Sequence, residues 1–179
     1  MNVKSVKIPD FRLYVKKYNK NKKNLANIKD IRYKMCIRDR SEDTDLDLLG
    51  ILLVGTPDGN EEKMFVGTRA AVMAECMRAD GVIISCDGWG NSHVDYTNTV
   101  EQIGERGIPV TGITFNGTVA QFVVVNDYLD AIIDINKSAD GTETDVVGEN
   151  NMTRLDCLKA KALLKLKMQK KEREEKAIK

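Results

Sequence analysis

Residues 81–115, "GVIISCDGWGNSHVDYTNTVEQIGERGIPVTGITF", decide the fold. "GVIIS" (81–85) is a continuous apolar run, as expected of a strand buried on both faces. A glycine-rich turn, "CDGWGNSHVDY", follows. Next comes "TNTVEQIGERG", with Val100 and Ile103 on one helical face and Gly107 placed as a C-cap. "IPVTGITF" (108–115) is a further strand. Strand, crossover helix, strand is the unit from which parallel sheets are built.

The same grammar extends upstream. "LLGILLVGTP" (48–57) is another apolar run bounded by Gly and Pro. It leads into "NEEKMFVGTRAAVMAECMRAD" (60–80), where Met64, Val72, Met73, Cys76 and Met77 recur at helical spacing and Glu61 and Glu62 suit the positive end of the helix dipole. Downstream, "AQFVVVN" (120–126) reads as a strand or a helix and "AIIDIN" (131–136) as a strand. "TRLDCLKAKALLKLKMQKKEREEKAIK" (153–179) is a helix with Thr153 as N-cap and Asp156 in a capping box. Apolar periodicity ends near Gln169, so residues 170–179 are expected to form a frayed basic tail. The reading is an α/β domain over residues 41–169, three-layered, with a largely parallel sheet built on a βαβαβ core and closed by a C-terminal helix.

Composition narrows the function. The chain has 179 residues, 42% hydrophobic and 31% charged, with a formal net charge of +1. That balance fits one globular domain and gives no overall field favouring nucleic acid or an anionic membrane. No apolar run reaches membrane-span length, and the lysines of the N-terminus precede no signal-like core. The four cysteines, Cys36, Cys76, Cys86 and Cys157, form no CxxC pair, and reduced thiols in a cytoplasmic protein are expected. Neither a GxGxxG nor a P-loop is present.

In α/β sheets ligands bind beyond the carboxyl ends of the strands. This directs attention to residues 54–60 and, above all, to residues 85–96, which hold the only Trp and the only His. Gly88 and Gly90 permit a sharp turn or close approach to a bound group. His93 suits proton transfer near neutral pH, with Asp95 to orient it. The same residue types also serve ordinary turn geometry and capping, so a structural role for His93 stays open. Cys86 fits a small hydrophobe at a strand end, and Cys86 with His93 supplies too few ligands for a metal.

The stretches "DLLGILLVGTPDGNEEKMFVGTR" and "ADGVIISCDGWGNSHVDYTNTVEQIGERGIPVTGITF" resemble the component B subunits of the glycine, sarcosine, betaine and D-proline reductases. The turn G-W-G-N-x-H-x-D followed by E-Q-I-G-x-R-G-I-P-V carries most of the likeness. The resemblance implies an oxidoreductase of amino-acid fermentation in anaerobes, working in an oligomeric complex with a selenocysteine subunit and a dithiol reductant. It also implies a pyruvoyl group, formed by cleavage before a cysteine, that condenses with the substrate amine as an electron sink. Gly88, Gly90, Asn91, His93 and Asp95 match the shared turn and are carried over as substrate-site wall residues. The segment that should bear the processed cysteine is not matched before residue 41. The chain is therefore expected to be a fragment without its own cofactor, inactive alone. The alternative is a non-catalytic paralogue acting as scaffold or regulator of the complex.

Residues 1–40 read as foreign to this domain. "KKYNKNKKN" is a basic, polar run, and a short strand or helix near Phe11 would find nothing to cover it. "KMCIRDR" (34–40) can be written AAG ATG TGT ATA AGA GAC AGR, which contains AGATGTGTATAAGAGACAG, a transposon end used in preparing sequencing libraries. The stretch is read as an adapter junction and Cys36 as its by-product, against the alternative of a genuine linker.

Overall fold

The computed structural model describes residues 11–18 (backbone only), 46–86, 90–116, 121–137 and 152–178. The elements are β1 (Phe11–Tyr18), β2 (Leu46–Val54), α1 (Asn60–Cys76), β3 (Gly81–Cys86), α2 (Asn91–Glu105), β4 (Val110–Thr114), β5 (Ile132–Asp134) and α3 (Arg154–Ala177). They form a five-stranded sheet in the order β2-β1-β3-β4-β5. The fold class is α/β, as expected. β3, β4 and β5 are parallel, with Val82 opposite Val110 and Gly112 opposite Ile132.

The sheet departs from the expectation on its other side. β1 lies between β2 and β3 and runs antiparallel to both, so the parallel portion is three strands. Phe11 stands opposite Val54 and Arg12 opposite Ser85. The short strand or helix allowed near Phe11 is thus a strand, paired along both edges. β2 and β3 nevertheless point the same way, since each is antiparallel to β1.

Helices cover both faces. α1 and α2 pack over Val82, Ile84 and Cys86 of β3, and α3 packs over Ile83 and Ile113. This alternation along β3 is the period-2 rule of a strand whose every residue is buried. Three corrections concern the helices and their connections. α1 buries Lys63, Gly67, Ala70, Ala71 and Ala74, while Met64, Val72, Met73 and Cys76, the positions that set its apolar spacing, face solvent. Small residues win the inner face because α2 lies so close: a Cβ on Gly67 would strike the Asn98 side chain. Residues 121–127 form no strand, and Val123 and Val125 are exposed. α3 continues to Ala177 instead of fraying after Gln169, through the i,i+4 pairs Lys170–Glu174, Lys171–Glu175 and Lys176–Glu172. Its start is as read, with a complete capping box between Thr153 and Asp156. Cys76 and Cys86 form no disulfide, but Cys157 is disulfide-bonded, contrary to the expectation of thiols throughout.

Candidate functional site

The turn after β3 is shorter than its composition suggests. Asn91 already belongs to α2, so "NSHVDY" is helix and not loop. Gly90 is the N-cap, at φ 63° and ψ −112°, a conformation that a residue with a Cβ avoids. Its carbonyl accepts the His93 backbone N–H at 3.0 Å, closing the first turn. Asn and Asp at a helix start carry the same sequence signal as a turn, so residue type alone does not mark the boundary.

Helix geometry then separates the two candidate side chains. Positions two apart do not face each other, and His93 and Asp95 go different ways. His93 is 1% exposed and sits beyond the carboxyl ends of β3 and β4. Its Nε2 lies 2.8 Å from the Phe115 carbonyl oxygen and 3.3 Å from Thr114 Oγ1. A carbonyl can only accept, so Nε2 carries the proton and Nδ1 bears the lone pair. Nδ1 has no hydrogen-bond partner among the described residues. The ring also stacks at an angle on Phe122, 4.7 Å between centroids. Burial lowers the His93 pKa from its ordinary 6.5, opposed by the Phe115 carbonyl, which keeps the imidazole neutral near pH 7.

Asp95 turns toward α1. Its Oδ2 accepts from Lys63 Nζ at 2.6 Å, and both side chains are almost wholly buried. The same ammonium also donates to the Pro57 carbonyl in the loop after β2. Burial raises the Asp95 pKa, opposed by the hydrogen bond and charge of Lys63. The other oxygen, Oδ1, has no partner among the described residues. Asp95 therefore does not orient His93, and the expected pair is two separate devices.

The described turn residues thus take different roles. Gly88 lies outside the described residues, Gly90 caps α2, and Asn91 is exposed. Lys63 was missed altogether. Its signal was available: Lys63, Gly67, Ala70 and Ala74 recur at 4-3-4 spacing, which puts a cation on a stripe of small residues. Further round the carboxyl edge, Asp134 Oδ1 accepts from the Asn116 and Asn136 backbone N–H groups, tying the ends of β4 and β5 together. The arrangement offers a neutral histidine with one unused acceptor in an aromatic setting, beside an ion pair that fixes the β2 loop against α2. Among the described residues no group of three or more His, Cys, Asp or Glu could hold a metal ion. No helix among them is long and apolar enough to cross a membrane.

Residues 38–164 match the family model of the glycine/sarcosine/betaine reductase component B subunits. The chain belongs to that family. It is also 38% identical over 123 residues to the D-proline reductase proprotein PrdA of Acetoanaerobium sticklandii. The shared stretch covers 69% of this chain and 20% of that protein, so the chain spans about a fifth of the length of the curated relative it matches. No solved structure matches. The family match contains β2 to β5, the His93 turn and the Lys63–Asp95 pair, and it begins within "KMCIRDR".

Proposed function

We propose that this chain is part of a subunit of an amino-acid reductase of the D-proline or glycine/sarcosine/betaine kind, acting in the cytoplasm within a complex that includes a selenocysteine subunit. The observation that carries the reading is the match over residues 38–164, from before β2 into the first half of α3, including the turn that caps α2. In such an enzyme a pyruvoyl group would supply an electron sink.

The described cysteines do not fit as its source. Cys76 and Cys157 lie within helices, and Cys86 lies in a strand with every residue buried. Cleavage before any of them would break a hydrogen-bonded element rather than a loop. The role proposed for this portion is therefore to shape and support a site completed elsewhere. His93 presents its Nδ1 acceptor at the strand ends, and Lys63 and Asp95 hold the Pro57 loop in register with α2. The buried ion pair equally favours the second reading, a non-catalytic paralogue that scaffolds the complex.

Mass spectrometry of the purified chain tests the proposal. A single uncleaved species, unreactive toward phenylhydrazine and without D-proline reduction, is expected. A cleaved chain carrying a carbonyl would overturn the assignment of the cofactor to another segment.

A further inference from the structure

α2 opens differently from the other two helices. α1 carries Glu61 and Glu62 in its first turn, and α3 is closed by the Thr153–Asp156 capping box. α2 has neither an acid in its first turn nor a side-chain cap, because Gly90 supplies none. The positive end of this 15-residue helix therefore stands at the carboxyl ends of β3 and β4 without a counter-charge of its own. The space beside Gly90 is open, since a methyl group there would meet no described atom within 4 Å. Such a helix start attracts a carboxylate, but alone it does not make a site.

The second observation is His93, in the same turn. A helical side chain leans over the turn that precedes it, so the ring stands above the uncapped start. With Nε2 held by the Phe115 carbonyl oxygen, the lone pair of Nδ1 is the one acceptor of the ring. The residue is 1% exposed, and Nδ1 has no hydrogen-bond partner among the described residues. It calls for an N–H or O–H donor. Apolar surface adjoins it, because Phe122 lies 4.7 Å from the ring and stacks on Tyr96 at 11°. An aromatic cage for a quaternary ammonium needs ring faces turned to the cation. Here the faces of Phe122 and Tyr96 are turned to each other, 6.0 Å between centroids.

We propose that the start of α2 binds an amino acid by both ends, its carboxylate on the first-turn N–H groups beside Gly90 and its amine N–H on His93 Nδ1, with Phe122 against the carbon skeleton. The choice of an amino acid rests on the reductase reading, whereas the need for an N–H rests on His93. Among the substrates that reading allows, glycine, sarcosine and D-proline carry hydrogen on nitrogen and betaine does not. The site thus belongs to the N–H-bearing amino acids, and the apolar wall favours D-proline among them. Phe122 lies in residues 121–127, which form no strand, so its ring can move aside for a ligand without breaking a sheet ladder.

His93 is the only histidine, so nitrogen NMR of the labelled imidazole in the full chain reports on it without any substitution. D-Proline at millimolar concentration is expected to shift the Nδ1 resonance and to leave Nε2, still bonded to Phe115, nearly in place. N-methyl-D-proline keeps one N–H and should bind nearly as well. N,N-dimethyl-D-proline has none and should bind at least about ten-fold more weakly. Pyrrolidine, which lacks the carboxylate, should give no shift. A loss that comes already at the first methyl would mark simple steric exclusion and overturn the proposal. So would equal or tighter binding of the dimethyl analogue, a shift with pyrrolidine as large as that with D-proline, or no shift with D-proline. The reductase reading fails on a different result, an intact complex containing this chain that reduces none of these amino acids.

Discussion

At the scale of single residues, the most consequential feature is a lysine that sequence patterning did not single out. Lys63 is 1% exposed and neutralises an equally buried Asp95 at 2.6 Å. Removing one partner of such a pair leaves an uncompensated charge, which costs about 3–5 kcal/mol. Lys63→Met should lower the urea midpoint accordingly, and adding Asp95→Asn should recover most of the loss. Equal midpoints for the single and double variants would mean that the two residues are not energetically coupled. His93 makes a prediction of opposite character. Its folded pKa lies below the ordinary 6.5, so the unfolded chain binds the proton more readily between those two values. Stability is then fully present above about pH 6.5 and is lost as pH falls from there toward the folded pKa. His93→Gln removes this dependence. Between pH 7.5 and pH 5.5 the unmodified chain should lose more unfolding free energy than the variant, and identical slopes would show that the imidazole is not buried neutral. His93 and Asp95 are candidates by residue type, but their partners are not legible in the sequence. Phe115 lies 22 residues from His93 and Lys63 lies 32 from Asp95. Only the folded chain brings them near.

At the scale of elements, α1 and α2 end in the same way with different residues. Each closes with a six-to-one and a five-to-two backbone bond: Ala79 to Ala74 with Arg78 to Glu75, and Ile108 to Ile103 with Gly107 to Gly104. The left-handed position is Gly107 in one case, at φ 68°, and Arg78 in the other, at φ 53°. A side chain there costs about 1–2 kcal/mol. Arg78→Gly should therefore raise thermal stability by roughly 1 kcal/mol, about 2–4 °C for a chain of this size. A fall in melting temperature would show that the arginine side chain stabilises the monomer. The Gly107 stop was legible because glycine announces the conformation, whereas Arg78 conceals it. The same asymmetry runs through the other elements. β3 and β4 were legible because burial on both faces writes an unbroken apolar run. α1 was recognised as a helix but with its faces exchanged, since apolar spacing reports a stripe and not which side of it is wet. Within 120–126 three successive valines satisfy a strand pattern, although among the described residues none pairs with them. α3 outlasted its apolar pattern because ion pairs along its surface took over.

At the scale of the whole molecule, the question is what residues 1–40 contribute. The residues themselves read as foreign, and the family match starts only at residue 38. Against this, β1 is paired along eight residues of β2 and five of β3, in the interior of the sheet. The directions of the strands decide the expected outcome. β2 and β3 point the same way and are joined by α1 through short loops, which is the ordinary geometry for a parallel neighbour pair with a helical crossover. Without β1 the two strands can close on each other and regain their ladder bonds. A chain beginning at Ser41 should therefore unfold cooperatively, with a melting temperature within a few degrees of the full chain when both are measured fully reduced, the shift associated with about 1 kcal/mol. Hydrogen exchange should then show the Leu48–Val54 and Val82–Cys86 amides protected in both chains. Loss of a cooperative transition, or of protection confined to β2, would establish that Phe11–Tyr18 is an integral strand and that the segment belongs to the domain.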